Sequence, residues 1–307
     1  MNRKEVAALR EAAEQGEAQA RCQLGAMHLT GDQDGVSRDD KEALKWFRLA
    51  AEQGHLLAQQ NLGMLYYQGK GVPRNGPLAI KWFRLAATQG SVHAQYNLGV
   101  IYDGGKLVPA DPEEAARWFR LAADQGNAHA QYHLGQGYRK GRGVPRDERL
   151  AIQWLQKAAE QGHAQAGLQL GLMHESGQGV AKSLPNAVKW FAMAAGKGLA
   201  QAQFQLSRMY SEGRGVERDD REAARWCRLA AEQGLDQAQQ NYGCMLALGQ
   251  GVQEDLIHAY MWLELAARQG NAVAIQRQGS LAEVMNATRI AQAQARAQQW
   301  KPGVRAG

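Results

Sequence analysis

The sequence predicts an all-α solenoid of stacked antiparallel helix pairs, with about 17 helices and no strands. Three observations carry this: a tetrapeptide Ala-x-x-Gly that returns every 36 residues, a tryptophan that returns at the same spacing, and a capping residue at a fixed place ahead of it. A strict period of this size means that each unit is one supersecondary element burying its apolar face on its neighbours.

The tetrapeptide runs Ala51-Glu52-Gln53-Gly54, then Ala87-Thr88-Gln89-Gly90, Ala123-Asp124-Gln125-Gly126 and Ala159-Glu160-Gln161-Gly162. It continues as Ala195-Gly196-Lys197-Gly198, Ala231-Glu232-Gln233-Gly234 and Ala267-Arg268-Gln269-Gly270. Its earliest copy, Ala13-Glu14-Gln15-Gly16, lies 38 residues before the second, because the loop Gly31-Asp32-Gln33-Asp34-Gly35 carries two extra residues. The closing glycine suits the left-handed stop of a helix.

Ahead of each stop stands a tryptophan: Trp46, Trp82, Trp118, Trp154, Trp190, Trp226 and Trp262. One large apolar wedge per unit follows, and removing a buried one costs on the order of 3 to 5 kcal/mol. The other helix of each pair presents Leu62-Gly63-x-x-Tyr66, Leu98-Gly99-x-x-Tyr102, Leu134-Gly135-x-x-Tyr138 and the looser Leu206-Ser207-x-x-Tyr210. Leu and Tyr four apart share a face, and the glycine lets a neighbouring helix come close.

Gly-x-Gly-Val joins the two helices, as in Gly69-Lys70-Gly71-Val72, Gly141-Arg142-Gly143-Val144 and Gly213-Arg214-Gly215-Val216. Three residues past each valine comes Asp39, Asn75, Asp111, Asp147, Ser183, Asp219 or Asp255, all strong N-cap types. The ends depart from the pattern, as solenoid ends do. Residues 3–15 read as a lone second-type helix with Ala8 in the tryptophan place, and 271–285 with 287–300 as a final pair capped by Asn286, with Trp300 two residues late.

At 307 residues the chain is long enough for about two ordinary domains, a count that repetition overrides. Mean hydropathy is −0.51 and no apolar run reaches the ~18 residues of a membrane span. The opening Met1-Asn2-Arg3-Lys4-Glu5-Val6 leads into a polar helix without the apolar stretch of a secretory signal, so a cytoplasmic location is expected, or a periplasmic one if a leader is missing. Three cysteines, Cys22, Cys227 and Cys244, are too few and odd in number for a disulfide scaffold.

Taken together, A-x-A-Q-x-x-L-G-x-x-Y-x-x-G-x-G-V, a cap, and A-x-x-W-x-x-x-A-A-x-x-G resemble the Sel-like repeat, a 36-residue branch of the tetratricopeptide superfamily. The likeness covers roughly residues 3 to 300, and Tyr260-Met261-Trp262-Leu263 with the Ala/Gln-rich last helix is similar to the endings of bacterial members. It implies one right-handed superhelix over 1–307, with an N-terminal half repeat at 3–16, seven repeats over 17–270 and a capping pair at 271–300. It also implies an adaptor that binds another protein or a peptide segment, in bacterial signalling, regulation, host interaction or toxin immunity. Departures fall at Leu107 for the second loop glycine, Ser207 for the helix glycine, Gly196 at a helix end and Cys227 for the aromatic after Trp226.

By the same resemblance, the first helix of each pair lines a concave groove. Residues two before, two after and five after the Leu of Leu-Gly point into it. In the middle repeats these are Tyr96, Val100 and Asp103; Tyr132, Gln136 and Arg139; Leu168, Leu172 and Glu175; Phe204 and Arg208. They describe an apolar floor with charged walls, the kind of strip that marks an interaction site.

Two other readings come from a different class of function. Net charge is +6, and cations form columns at Lys45, Lys81, Arg117, Lys189 and Arg225 and at Arg48, Arg84, Arg120 and Arg228, a possible nucleic-acid stripe on the convex face. Glu42, Glu114 and Glu222, with Glu52, Asp124 and Glu232, sit three or four residues away, which favours a solvated face of weak ion pairs. His129 and His133, one turn apart with His93 a repeat earlier, have a metal-compatible spacing but no converging Cys or carboxylate and no H-E-x-x-H. Nucleic acid, metal and cofactor are accordingly not expected, and a monomer is. No G-x-x-x-x-G-K-[ST], G-x-S-x-G, Ser-x-x-Lys or Lys-Thr-Gly occurs, so the chain is not expected to be an enzyme.

Overall fold

The structure, a computed structural model, describes residues 3–31 and 35–303. Residues 1–2, 32–34 and 304–307 lie outside the described residues. Within those described, 17 helices and no strand are present, each helix 13 residues and so ~20 Å long. The protein is an all-α repeat solenoid of stacked adjacent helix pairs.

The chain forms two compact units, Met1–Trp154 and Leu155–Gly307, divided inside one helix. The first unit holds α1 (Arg3–Gln15), α2 (Ala18–Thr30), α3 (Asp40–Glu52), α4 (Leu56–Gln68), α5 (Gly76–Thr88), α6 (Val92–Gly104), α7 (Pro112–Asp124), α8 (Ala128–Lys140) and the start of α9 (Glu148–Glu160). The second continues from α9 into α10 (Ala164–Ser176), α11 (Leu184–Gly196), α12 (Ala200–Glu212), α13 (Asp220–Glu232), α14 (Asp236–Leu248), α15 (Leu256–Arg268), α16 (Ala272–Val284) and α17 (Ala287–Gln299).

All seven expected caps form. Asp39, Asn75, Asp111, Asp147, Ser183, Asp219 and Asp255 each accept a backbone N–H from the first turn that follows. Asn286 does the same at the start of α17. The first-type helices have caps that composition did not flag, for His55 and His163 use ring Nδ1 as acceptor beside the ordinary Ser91, Asn127 and Asn271.

The expected tryptophan wedge is buried in four repeats, at Trp46, Trp82, Trp154 and Trp262, and in the other three the enclosed residue is the one that follows the tryptophan. Phe47, Phe83 and Phe191, each following a tryptophan, are fully buried, whereas Trp118, Trp190 and Trp226 are half-buried at the layer edge. The helix glycine makes the room for those rings: a Cβ on Gly63, Gly99 or Gly171 would lie 2.8, 2.5 or 2.4 Å from Phe83, Phe119 or Phe191. Trp262 is the most deeply buried of the tryptophans, packed against Tyr242 and the late Trp300 with ring centroids 5.9 and 5.8 Å away.

The second loop glycine docks on the start of the second-type helix one repeat earlier, as Gly143 does on α7. Gly143 has φ +72°, and a Cβ there would stand 1.9 Å from the Pro112 carbonyl oxygen. Where Leu107 replaces this glycine, the helix start opposite it is Gly76, whose own Cβ would meet the Leu107 carbonyl at 2.6 Å. One departure makes space for the other.

A buried amide ladder ties successive repeats. Gln59, Gln95, Gln203 and Gln239 donate to the carbonyls of Ala51, Ala87, Ala195 and Ala231. Each then accepts from the tetrapeptide glutamine of the next unit, Gln89, Gln125, Gln233 and Gln269, at 2.8–2.9 Å. Buried amides with both groups satisfied specify register at little net cost. In the second unit the rung at 167 and 197 is missing on both sides, Gly167 facing Lys197, and the Met193 side chain lies where a Cβ on Gly167 would be.

Candidate functional site

The first unit holds Tyr96, Val100 and Asp103 on α6 and Tyr132, Gln136 and Arg139 on α8. All six are half-buried. The Tyr96 ring centroid lies 6.0 Å from Phe119, 5.9 Å from His129 and 6.0 Å from His133. His133 stacks on Phe119 at 4.7 Å with 9° between planes, and Tyr132 meets His133 edge-on at 5.6 Å. The result is an aromatic shelf whose lower side is the α7 core and whose upper side reaches solvent.

Burial pushes the Tyr96 phenol above its ordinary range, with nearby Tyr67 adding to the shift. Burial also pushes the His133 imidazole down, against the pull of Asp103 and with a smaller push from His129. His133 is therefore a neutral, stacked ring at pH 7. At the edge of the shelf the Asp103 carboxylate pairs with Arg142 Nη2 at 3.1 Å, and the same nitrogen donates to the Asp103 carbonyl at 2.8 Å. Arg139 Nε donates to Gln136 Oε1 at 3.0 Å.

In the second unit the expected strip is only partly present. Leu168 and Phe204 are 4% and 8% exposed and belong to the apolar cores around Phe191 and Tyr242, so they are corrected to core residues. The physical difference from the half-buried Tyr96 and Tyr132 is the phenol: full burial of a tyrosine requires a partner for its hydroxyl, whereas Leu and Phe have no polar tip to desolvate. Leu172 is half-buried on the Phe191 core. Glu175 pairs with Arg214 at 3.0 Å, and Arg208 reaches Gln205 at 3.2 Å and Glu212 at 3.6 Å.

The cation columns are engaged within the fold. Lys45, Lys81, Lys189 and Arg225 lie 5.0–5.6 Å from the ring centroids of Trp46, Trp82, Trp190 and Trp226. Glu42–Lys45, Glu114–Arg117 and Glu222–Arg225 pair at 3.1–3.3 Å. A further relationship escaped the sequence reading: Arg48, Arg84 and Arg120 donate to the hydroxyls of Tyr66, Tyr102 and Tyr138, the first two at 2.9 and 2.8 Å. The constant 18-residue spacing of these pairs was the available signal. Among the described residues no three His, Cys, Asp or Glu side chains converge on a possible metal site. None of their helices is long and apolar enough to cross a membrane.

Seven consecutive segments, 18–55, 56–91, 92–127, 128–163, 164–199, 200–235 and 236–271, match the model of the Sel1 repeat. The chain belongs to the Sel1 repeat family. The crystal structure of a Sel1 repeat protein from Oxalobacter formigenes is similar over 91% of this chain and 80% of that one, with 37% identity and a TM-score of 0.77. The crystal structure of c5321, a protective antigen of uropathogenic Escherichia coli displaying an SLR fold, is 30% identical over 97% of this chain and 79% of that one, with a TM-score of 0.49. Comparison with curated proteins gave no match. Sel1 repeat proteins are generally protein–protein interaction scaffolds, and the solenoid is typically non-catalytic.

Proposed function

We propose that this Sel1 repeat chain is an adaptor that captures a segment of a partner polypeptide on the first-helix strip, in a signalling, regulatory or toxin-immunity setting. The observation that carries the reading is the half-buried shelf of Tyr96, Tyr132 and His133 beside Val100, edged by the Asp103–Arg142 pair. Rigid aromatic rings with one face open and polar groups at the rim are what polypeptide hot spots are built from. Gln136 and Arg139 supply adaptable hydrogen bonding along the same helix. Leu172, Glu175 and Arg208 form a second contact patch in the other unit.

The test is photo-crosslinking in cells from benzoylphenylalanine at position 132, with position 45 on the opposite helix type as control. The reading predicts a discrete polypeptide adduct from position 132 and none from position 45. Adducts from position 45 alone would move the binding surface to the second helices.

A further inference from the structure

The last repeats depart from the repeat pattern at three positions that surround one cavity. Six residues after the Leu of Leu-Gly stand Thr30, Gln68, Gly104, Lys140, Ser176 and Glu212, none of them apolar and large. At the same place the next two units carry Leu248 and Val284, 75% and 71% exposed. One residue before that Leu, every earlier unit has an amide or a histidine, and α16 has Arg277.

Leu248, Val284 and Arg277 line a cavity of about 320 Å³ between α14, α15 and α16, wholly within the second unit. Its deeper wall is Leu263 and Leu281, and Cys244 opens onto its side. A volume near the lower end of the usual 300–1,000 Å³ ligand range holds one large side chain and its neighbour. Arg277 makes no ion pair or hydrogen bond among the described residues. Arg277 is thus an exposed cation in the lining of a mainly apolar cavity, matched in charge by a carboxylate and in shape by an apolar group next to it.

We propose that this cavity binds an acidic, leucine-rich peptide segment, one apolar side chain entering between Leu263 and Leu281 while an adjacent carboxylate pairs with Arg277. The two rim residues decide for a peptide over a small molecule, because they expose apolar surface outside the cavity that only a passing chain covers. The inference rests on the polypeptide-binding reading and adds the partner's chemistry.

The experiment uses the full chain and two fluorescein-labelled hexapeptides, Glu-Leu-Leu-Glu-Leu-Leu and Lys-Leu-Leu-Lys-Leu-Leu, read by anisotropy. The acidic peptide is expected to bind at least about tenfold more tightly, a difference of roughly 1.4 kcal/mol. Arg277→Glu should reverse that preference. Leu248→Gln with Val284→Gln should weaken both peptides without lowering the melting temperature, since both side chains are exposed. Equal affinity for the two peptides, or indifference to Arg277→Glu, overturns the proposal. Full displacement of the acidic peptide by octanoate overturns it in favour of a small anionic ligand. Loss of the acidic peptide with Tyr132→Ala and Arg139→Glu, but not with Arg277→Glu, overturns this inference while leaving the first-helix strip as the binding surface.

Discussion

Ser207 Oγ donates to the Ala223 carbonyl at 2.7 Å, and in the helix packed against it the Cys227 thiol, which donates to the Ala238 carbonyl at 3.3 Å, stands where other repeats carry Phe or Leu against a helix glycine. A serine Cβ in the glycine place would collide with the usual ring, as the 2.4 Å approach of Phe191 to Gly171 indicates. Cysteine removes the ring, and burial pushes its thiol up to about 12, so it acts as a small apolar filler.

The pair should therefore behave as one unit in stability measurements. Cys227→Phe alone is expected to cost about 1–3 kcal/mol through overpacking, and Ser207→Gly alone about 1 kcal/mol through the lost hydrogen bond. Combined, they restore the arrangement of the other repeats and recover most of the loss. Denaturant midpoints of the four proteins give the coupling, and strict additivity would contradict the pairing.

His133 links stability to pH. Its lowered folded value means that the unfolded chain takes up the proton first, so the stabilisation is complete above the ordinary imidazole range near ~6.5 and is lost as pH falls through the lowered value. His133→Asn, which installs the residue found at Asn61, Asn97 and Asn241, should flatten the stability curve between about pH 7 and 5. Parallel curves for the two proteins would show that the ring does not titrate in this window.

Close approach and left-handed backbone can be separated at two glycines. Gly126, with φ +90° and open space around a Cβ, should lose roughly 1 kcal/mol as Gly126→Ala. Gly143→Ala adds a clash with the Pro112 carbonyl and should cost more than twice that. Equal losses in urea unfolding would mean that the loop yields without strain.

Neighbouring aromatics should also differ. Phe191→Ala is expected to cost about 3–5 kcal/mol and Trp190→Ala distinctly less, because only the phenylalanine is fully enclosed. A larger loss at Trp190 in the same measurement would restore the tryptophan as the wedge.

Much of this fold was legible because its signals are local. A cap acts within three residues, so Asp39 through Asp255 could be read singly, and the glycine stops likewise. The amide ladder and the compensated pairs Leu107 with Gly76, Ser207 with Cys227 and Gly167 with Lys197 join different helices, and reading each column alone concealed them. The strip was harder still. Its columns came from family likeness, and whether Phe204 sinks while Tyr132 stays half-open depends on the polar tip of the side chain and on the helix packed behind it.

The most direct measurement takes the polypeptide crosslinked at position 132 and titrates it, purified, against the unmodified chain and the variant carrying Tyr132→Ala and Arg139→Glu. At least about a tenfold loss of affinity with an unchanged melting temperature is predicted. Undiminished affinity would contradict capture on this strip, and a collapsed melting transition would return both residues to holding the fold.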